Sequence, residues 1–480
     1  MLKVAFEGCC HGELDKFYAE VTKEGGADLV LIAGDFQSLR NKGDLDSLQV
    51  PPKYRRMGDF SDYYSGKKKA PYLTLVVGGN HEASNYLSEL FYGGWLAPNI
   101  YYLGKAGSVV YKGLRISGIS GIYKEHNFRK GHFEKPPYNP GTIRSVYHVR
   151  DYEVNKIALL SNKPDIMLSH DWPNNIEKKG DLKTLKKIKP YFTQEIKENS
   201  LGSPPLEFLL HRLKPRYWLA AHLHVHFEVK FQHQAEISTS QLVGIGEAAV
   251  APSSAENLPR NLNSDEISLD FDEPEPCLEE ATDTVSIVTE ANKSNENPNQ
   301  TTAHVKKDAE TIPDVASVKQ AALVGGKLCD KGVKRSLETS ELEVTHFIAL
   351  DKCIAKRRFM KIIEIPQPDP NILESAAGEL CYDVDWLAIT KAFHPHLNLT
   401  QSASPSLPGV QEMKAAVKQA KADIITQLGL PADAIAFPIP NNFKIEVPSN
   451  GDVPPASRFY PNSQTDAFCE MLGIPNHNNN

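Results

Sequence analysis

Short apolar runs recur through residues 1–240, and each run ends in glycine or in a polar cluster. They lie at 2–6, 28–33, 72–77, 114–119, 165–168 and 217–221. Uninterrupted apolar runs of this length are typical of strands that are buried on both faces of a sheet. Leu14–Lys23 and Glu153–Leu160, which lie between such runs, have the apolar spacing of amphipathic helices. The pattern therefore predicts one large α/β unit.

The pattern changes after about residue 242. Residues 246–340 are rich in Glu, Asp, Ser, Asn, Thr and Pro, which predicts a disordered insert or linker. Strand-like and helix-like runs return at 341–365 and 382–393, and Val410–Leu428 has the spacing of an amphipathic helix. We predict three regions, namely an α/β domain over 1–245, an acidic low-complexity insert over 246–340 and a smaller C-terminal domain over 341–476.

Composition supports a folded chain that is not embedded in a membrane. Hydrophobic residues make up 41% of the 480 residues, which is enough for a sizeable core. No apolar run approaches the roughly 18 residues that cross a bilayer, and Glu7 interrupts the N-terminal run before a signal peptide could form. The seven cysteines are odd in number and scattered, which argues against a disulfide framework. We expect a soluble intracellular protein.

The net charge of −7 is distributed unevenly along the chain. Residues 261–310 contain thirteen Asp/Glu and three Lys, whereas residues 1–240 contain 33 Lys/Arg and 26 Asp/Glu. A mildly basic N-terminal half suits a polyanionic substrate. Lys67–Lys69 and the pair Lys178-Lys179 are interpreted as solubilising surface charges.

Five of the strand-like runs end in residue types that bind metals. These ends are Cys9-Cys10-His11, Gly34-Asp35, Gly79-Asn80-His81-Glu82, His170-Asp171 and His222-Leu223-His224. A lone histidine at a strand end is usually a packed or surface residue, and a Gly-Asp pair is usually a turn. That interpretation would have to hold at all five ends together. Since ligands gather beyond the carboxyl ends of strands in open α/β sheets, we predict a metal centre there.

The order of these motifs resembles the calcineurin-like metallophosphoesterases. That family normally begins with Asp-x-His, and the position of its Asp is taken here by Cys9, which resembles the RNA lariat debranching enzymes. Further stretches agree with the second family: 8–14, 169–173, 345–353 and 385–390. The resemblance implies an α/β/β/α sandwich with a smaller C-terminal domain, and the acidic disordered insert is predicted from composition alone.

The resemblance also implies residue roles. One metal site would consist of Cys9, His11, Asp35 and His224, the other would consist of Asp35, Asn80, His170 and His222, and His81 would be the catalytic histidine. The expected cofactor is one or two divalent ions, with iron, zinc or manganese as candidates. A thiolate favours zinc or iron over magnesium. The loss of the usual Asp at Cys9 leaves a single-metal enzyme open as an alternative.

A segment rich in basic and aromatic residues is the predicted substrate-binding element. Residues 101–150 contain nine Lys/Arg and two acidic residues, and rings and prolines are frequent over 121–150. Basic groups pair with phosphates and rings stack on unpaired bases. The segment corresponds in position to the recognition loop of the debranching family, and the alternative is a solvated surface segment. The predicted substrate-binding residues are Arg129, Lys130, Arg144 and His148.

Together these observations predict a metal-dependent phosphodiesterase. The resemblance implies hydrolysis of the 2′–5′ bond at the branch point of excised intron lariat RNA, which gives linear intron for turnover. Branched intron RNA is the expected partner, no membrane association is expected, and the nucleus is the expected location. Two alternatives stay open: a metallophosphoesterase of other specificity, such as a general nuclease or phosphoprotein phosphatase, or an RNA-binding scaffold with a vestigial metal site.

Overall fold

Two mixed β-sheets form the centre of the computed structural model, which describes residues 1–233, 343–366, 378–449 and 460–479. The first sheet has six strands in the order β12-β1-β2-β3-β5-β4. Their bounds are β1 Leu2–Glu7, β2 Leu29–Ile32, β3 Thr74–Val76, β4 Gly94–Ala97, β5 Ile100–Tyr102 and β12 Met360–Ile365. Strands β1, β2, β3 and β5 run parallel, and the two edge strands are antiparallel to their neighbours.

The second sheet has eight strands in the order β10-β11-β9-β8-β7-β6-β13-β14. Their bounds are β6 Ala106–Tyr111, β7 Leu114–Ile119, β8 Ile166–Ser169, β9 Tyr217–Ala220, β10 Phe227–Gln232, β11 Val344–Ala349, β13 Leu380–Asp383 and β14 Ala436–Pro438. The central strands β7, β8, β9 and β11 are parallel.

The described chain contains twelve α-helices. They are α1 Leu14–Lys23, α2 Phe60–Tyr64, α3 Ser84–Glu89, α4 Glu125–Phe128, α5 Thr142–Ser145, α6 Asp151–Ala158, α7 Leu182–Ile188, α8 Phe192–Glu198, α9 Pro204–Leu213, α10 Val384–Phe393, α11 Val410–Gln427 and α12 Ser463–Leu472. None of the helices in these ranges combines the length and the apolar character that a bilayer-crossing segment requires.

Alternating side chains divide the core into two layers. In β8, Ile166 and Leu168 belong to a cluster shared with β1, β2 and β3 of the first sheet, whereas Met167 belongs to a cluster shared with α6, α9 and α10. This follows from the strand geometry, because successive side chains point to opposite faces. On the first sheet, the Tyr18 hydroxyl of α1 bonds to the Thr74 hydroxyl of β3 at 2.7 Å. The sheets therefore face each other between helical layers, and the predicted sandwich is confirmed.

Residues from the far end of the chain complete both sheets. Strand β12 pairs with β1 in antiparallel register, with Val4 opposite Ile363. Strand β11 lies between β9 and β10, with Phe347 opposite Trp218. The segment 344–365 is therefore part of the sandwich, and it adds one strand to each sheet.

The structure confirms most of the predicted elements. All six apolar runs contain a strand, α1 has the predicted bounds, and α11 ends one residue before the predicted Leu428. The predicted disorder of 246–340 lies outside the described residues. The domain boundaries 1–245, 246–340 and 341–476 stay a prediction.

Candidate metal centre

Five parallel strands bring the predicted ligands to one edge of the sandwich. Strands β1, β2 and β3 are neighbours in the first sheet, and β8 and β9 are neighbours in the second. The chain segments that leave these strands carry all of the predicted metal ligands: Cys9 and His11, Asp35, Asn80, His170, and His222 and His224. Because parallel strands share the direction of their carboxyl ends, the topology places these residues together.

Four of these residues have a left-handed backbone. The φ angles are 49° at His11, 48° at Asp35, 64° at His222 and 47° at His224. Such angles are uncommon for residues other than glycine, and each costs of order 1–3 kcal/mol. The strained backbone angles occur at the strand ends, where the turns direct these side chains toward a common point.

Two glycines allow the ligand-bearing loops to approach closely. A Cβ atom on Gly79 would lie 2.2 Å from Asp35 Oδ1, and one on Gly34 would lie 2.4 Å from His170 Nδ1. Gly34 also has a φ of +104°, which a side chain would strain. Glycine is therefore required in the Gly-Asp and Gly-Gly-Asn motifs because a side chain would clash with the neighbouring ligand residue.

The first donor group consists of Cys9, His11, Asp35 and His224. One ligand atom from each residue lies within 4.8 Å of all the others. Nε2 of His11 lies 3.1 Å from Nε2 of His224 and 3.7 Å from Asp35 Oδ2. The backbone N–H of His222 donates to Cys9 Sγ at 3.3 Å, which favours a thiolate.

The second donor group surrounds the other oxygen of the same carboxylate. The His170 Nδ1–H donates to the Ala33 carbonyl oxygen at 2.7 Å, so Nε2 faces the centre. That Nε2 atom lies 3.1 Å from Asn80 Oδ1 and 3.4 Å from Asp35 Oδ1. The His222 ring lies 5.0 Å from the His170 ring. Potential ligand atoms of His170, Asn80 and Asp35 thus lie close together.

The protonation states suit a cation. Burial lowers the pKa of His11 to about 4 and holds the pKa values of His222 and His224 well below their usual value, so these imidazoles are neutral. Burial acts against ionisation of Asp35, but the neighbouring rings of His170 and His81 and the His81 backbone N–H favour the carboxylate and hold the pKa of this carboxyl well below its usual value.

The donor set fits divalent metal. Neutral imidazoles, a carboxylate, an amide oxygen and a thiol are the ligands of zinc, iron and manganese sites. The ligand atoms of Cys9, His11, Asp35 and His224 lie within 4.8 Å of one another, as the ligands of one ion do. His11 Nδ1 is also buried without a hydrogen-bond partner among the described residues. Burial and the nearby Asp35 raise the pKa of the Cys9 thiol, so a bound metal would have to displace its proton.

His81 lies beside the two groups and outside both. Its Nδ1 atom lies 2.6 Å from the Gln49 carbonyl oxygen, and its ring centre lies 5.9 Å from the His11 ring. The Asn80 amide nitrogen lies 2.9 Å from His81 Nε2. The Gln49 carbonyl thus fixes the ring, and Nε2 faces the centre. Residue types alone do not point to Gln49, because its contribution is a backbone carbonyl.

Buried side chains around the centre hold the loops in position. Glu82 accepts hydrogen bonds from the backbone N–H groups of Phe36, Gln37 and Gly79 at 2.8–3.0 Å, which ties the Asp35 loop to the Asn80 loop. Burial and repulsion from Asp35 raise the pKa of Glu82 to about 8.

The start of the C-terminal segment also contacts the centre. Lys352 pairs with Cys9 in an isolated bridge, and the Cys353 N–H donates to the Cys9 carbonyl at 3.0 Å. A Cβ atom on Gly8 would lie 2.3 Å from the Asp351 carbonyl oxygen. The 345–353 stretch matched the family resemblance, but its place beside Cys9 depends on a long-range contact that residue types do not reveal.

The segment 121–150 is attached directly to the metal-centre loops. The Gly121 N–H donates to the Gly78 carbonyl at 2.8 Å, and the Tyr123 N–H donates to Asp171 Oδ2 at 3.2 Å. Inside the segment, the fully buried Arg150 bonds to Glu134 Oε1 at 2.6 Å. The short helices α4 and α5 are separated by irregular chain, as expected for a long ordered loop.

The four predicted substrate-binding residues have different environments. Arg129 is exposed and Arg144 is half-buried. Lys130 Nζ bonds to Asn127 Oδ1 at 2.9 Å, and Asn127 Nδ2 donates to His148 Nδ1 at 2.8 Å. His148 is buried, and this burial holds its pKa well below its usual value. Three of the four are therefore accessible to a substrate as the loop stands, and their roles stay predictions.

Comparison with known proteins agrees with this architecture. Residues 2–226 match the calcineurin-like phosphoesterase family, and residues 342–477 match the C-terminal domain of lariat debranching enzyme. The lariat debranching enzyme of Schizosaccharomyces pombe is 38% identical over 481 residues, which cover 98% of this chain and 96% of that protein. The Homo sapiens enzyme is 38% identical over 486 residues, which cover 98% of this chain and 69% of that protein. The Mus musculus enzyme is 59% identical over 239 residues, which cover 49% of this chain and 44% of that protein.

The phosphoesterase match implies the use of divalent metal, which the donor set at the strand ends fits. The match extends over both ends of the chain, including the strands that complete the two sheets. The chain belongs to the lariat debranching enzymes, within the calcineurin-like phosphoesterases.

Proposed function

We propose that this protein hydrolyses the 2′–5′ phosphodiester bond at the branch point of excised intron lariat RNA. The products are a linear intron with a 5′-phosphate and a restored 2′-hydroxyl. The observation that carries the proposal is the convergence of the seven predicted ligands, four of them with ligand atoms within 4.8 Å of one another, in a chain that is 38% identical to a lariat debranching enzyme over 98% of its length.

The two donor groups would hold the metal. Cys9, His11, Asp35 and His224 would hold one ion, and Asp35, Asn80, His170 and His222 would hold the other. Divalent ions bound there supply Lewis-acid stabilisation of charge on the phosphate and activate water for attack. Asp35 is suited to a shared position, because Oδ2 faces His11 and Oδ1 faces His170.

His81 is the proposed general acid. Its Nδ1 proton is held by the Gln49 carbonyl, so the ring presents Nε2 toward the centre. In this structure Nε2 accepts a hydrogen bond from the Asn80 amide group. Once that bond is released and Nε2 is protonated, its proton would pass to the 2′-oxygen as the bond to phosphorus breaks, which neutralises the leaving alkoxide.

Substrate selection is proposed for the segment 121–150. Arg129, Lys130 and Arg144 would pair with phosphates of the branched RNA, and His148 would line the segment from within. Its backbone bonds to Gly78 and Asp171 hold the segment beside Asn80 and His170. A substrate bound to this segment therefore lies next to the metal ligands.

The Cys9 thiolate favours zinc or iron, with manganese as the third candidate. Residence in the nucleus and a role in intron turnover follow from the substrate proposed here.

The test is cleavage of two matched RNAs by the purified full chain with iron, zinc or manganese. One RNA carries a 2′–5′ branch, and the other has only 3′–5′ linkages. Cleavage confined to the branched RNA is expected. Cleavage of both RNAs, or of neither while a simple phosphoester is hydrolysed, would keep the phosphoesterase centre and overturn the debranching assignment.

A further inference from the structure

We infer that residues 178–191 form a second RNA-binding surface, which holds one single-stranded arm of the branched substrate beyond the metal centre. We call this region the lysine surface. It consists of the end of the 3₁₀ turn Ile176–Lys179, helix α7 and Tyr191. The inference rests on the proposed function for the identity of the RNA and on the described residues for the surface itself.

The lysine surface has an unusual concentration of positive charge. Residues 178–189 contain six lysines and one acidic residue, Asp181, whose carboxylate caps α7 by accepting the Thr184 N–H. None of Lys179, Lys183, Lys186 and Lys187 forms an ion pair with the described residues, whereas many other surface lysines bond to a carboxylate.

This arrangement lowers the stability of the helix. Lys183 and Lys187 are four residues apart in α7, where like charges repel by a few tenths of a kcal/mol. Only Leu185 of this helix is buried, so its core contribution is small. A polyanion would remove the repulsion, because it replaces the counterions around the lysines.

Exposed apolar side chains accompany the lysines. Ile188 is 47% exposed and Tyr191 is 52% exposed, and only two other large hydrophobic residues in the described ranges are as exposed as Ile188. Tyr191 packs edge-on against the buried Phe192, with ring centres 4.8 Å apart. Lysines beside an exposed ring match single-stranded nucleic acid, in which phosphates alternate with bases that stack on aromatic side chains. An acidic polypeptide would pair with the lysines but would not account for the exposed Tyr191 ring.

The lysine surface is attached to the same strand ends as the metal ligands. Gly180 lies against the ring of Phe227, which is three residues after His224, and a Cβ atom on Gly180 would lie 2.5 Å from the ring carbon Cζ. The Trp172 ring, two residues after His170, lies 5.3 Å from the same phenylalanine ring at an angle of 30°. These contacts place α7 beside the segments that carry His170 and His224.

Positive charge continues from the lysine surface to the centre. The charge of the buried Lys189 acts on the Asp351 carboxyl, whose pKa burial raises. The next residue, Lys352, is half-buried and pairs with Cys9 through its backbone. A strand that leaves the scissile phosphate on this side would meet Lys352 and then the exposed lysines of α7.

The test compares two double variants that change the net charge equally. Lys183→Glu/Lys187→Glu reverses an exposed i,i+4 pair on α7, and Lys414→Glu/Lys418→Glu reverses an exposed i,i+4 pair on α11. Binding of a fluorescent, unbranched single-stranded RNA is measured by anisotropy at several salt concentrations. We expect the α7 variant to bind about tenfold more weakly, with a log–log salt slope smaller by about 1.4, and the α11 variant to match the wild type.

Cleavage separates this inference from the proposed function. On branched RNA with a long arm, the α7 variant should have a KM about tenfold higher and an unchanged kcat, whereas on RNA trimmed to the branch nucleotides it should match the wild type. Failure of the wild type to cleave branched RNA would overturn the proposed function, and the binding measurement would still decide the inference. Tyr191→Ala should weaken binding about fivefold with the same salt slope, and Tyr191→Phe should restore it.

Unchanged RNA affinity in the α7 variant would overturn the inference and leave an acidic polypeptide as the chemistry that suits these lysines. Equal weakening in both double variants would also overturn it, because net charge alone would then explain the effect.

Discussion

Two polar clusters in this protein are similarly buried but differ in how their polar atoms are paired. Arg40 is fully buried, and its guanidinium meets Asp44 and Glu89 through four hydrogen bonds of 2.8–3.1 Å. In the metal centre, ligand atoms of Cys9, His11, Asp35 and His224 lie within 4.8 Å of one another, and the buried His11 Nδ1 has no hydrogen-bond partner among the described residues. The first cluster satisfies its own hydrogen bonds, whereas the second has the donor atoms of a metal site.

The two clusters therefore have different roles: one stabilises the fold and the other provides a binding site. A satisfied buried ion pair fixes local structure, and removal of one partner leaves an uncompensated charge. A cluster of converging ligand atoms is stabilised when a metal ion binds to it, so its stability is linked to metal binding. Substitutions should therefore damage stability in the Arg40 cluster and chemistry in the metal centre.

The largest expected effect is on turnover in the metal centre. His81→Ala should lower kcat by about 10²- to 10⁴-fold, because the leaving oxygen loses its proton donor. Metal content, measured by elemental analysis, should be nearly unchanged, because His81 belongs to neither donor group. His226→Ala is the matched control, since His226 bonds to Glu228 at 2.7 Å on the surface. Loss of metal in the His81 variant would contradict the proposed role.

The Arg40 cluster should show the reverse behaviour. Arg40→Met should lower the free energy of unfolding by about 3–5 kcal/mol, because Asp44 and Glu89 are left buried without their cation. Denaturant unfolding measures this change. The metal content per folded molecule should stay that of the wild type, and a well-folded variant that loses its metal would mean that the two clusters are coupled.

A substitution at Cys9 sharpens the comparison within the metal centre. Cys9→Ser should weaken binding of zinc and iron by at least about tenfold, or about 1.4 kcal/mol, and should weaken manganese binding less, because the hydroxyl is a harder ligand. Chelator competition measures each affinity. Cys10→Ser is the control, since that thiol is buried beside Glu7 and outside the donor group. Equal affinity for all three metals in the Cys9 variant would show that Cys9 does not coordinate.

Lys156 differs from both clusters. It is a buried lysine that has no carboxylate partner among the described residues and belongs to no ligand-binding group. It is buried under the Trp386 ring, 4.4 Å from its centre, and forms no ion pair with the described residues. Burial lowers the pKa of Lys156 to about 8, so the folded state resists its charge at neutral pH. Lys156→Met should therefore raise the free energy of unfolding at pH 7 by about 1–3 kcal/mol.

The pH dependence of unfolding checks the sign. Between about pH 8 and the usual lysine pKa, the unfolded chain keeps a proton that the folded chain has released, so wild-type stability should rise with pH in this window. The Lys156→Met variant should lack this rise. A parallel rise in both proteins would mean that another group is responsible.

The sequence predicts much of the centre because its signal is local. Each ligand stands directly after an apolar run, and parallel strands bring such positions together whatever the loops between them contain. The structure brings all seven predicted ligands together, and their roles stay predictions. The strained backbones of His11 and His224 and the three amides that meet Glu82 depend on loop conformation, which residue types alone do not specify.

The parts of the fold that the sequence did not predict depend on long-range pairing. The apolar runs at 346–350 and 358–363 indicated ordered structure, but their partners are strands that begin at residues 2 and 217. The burial of His148 also depends on contacts between distant residues of its loop. Asn127 bonds to His148, and Arg150 donates to the Asn127 carbonyl. Local pattern predicts that an element exists, and pairing decides where it lies.

The place of β11 and β12 in the two sheets has a consequence during synthesis. At about 5–20 residues per second, β1 waits roughly 20–70 s on the ribosome before its partner β12 emerges. Until then the N-terminal strand has an open hydrogen-bonding edge, and chaperones are the expected protection. The separation of β10 from β11 is tolerable once both are made, since doubling a connecting loop costs only about 0.6 kcal/mol. The order of translation, more than the final stability, makes the early chain vulnerable.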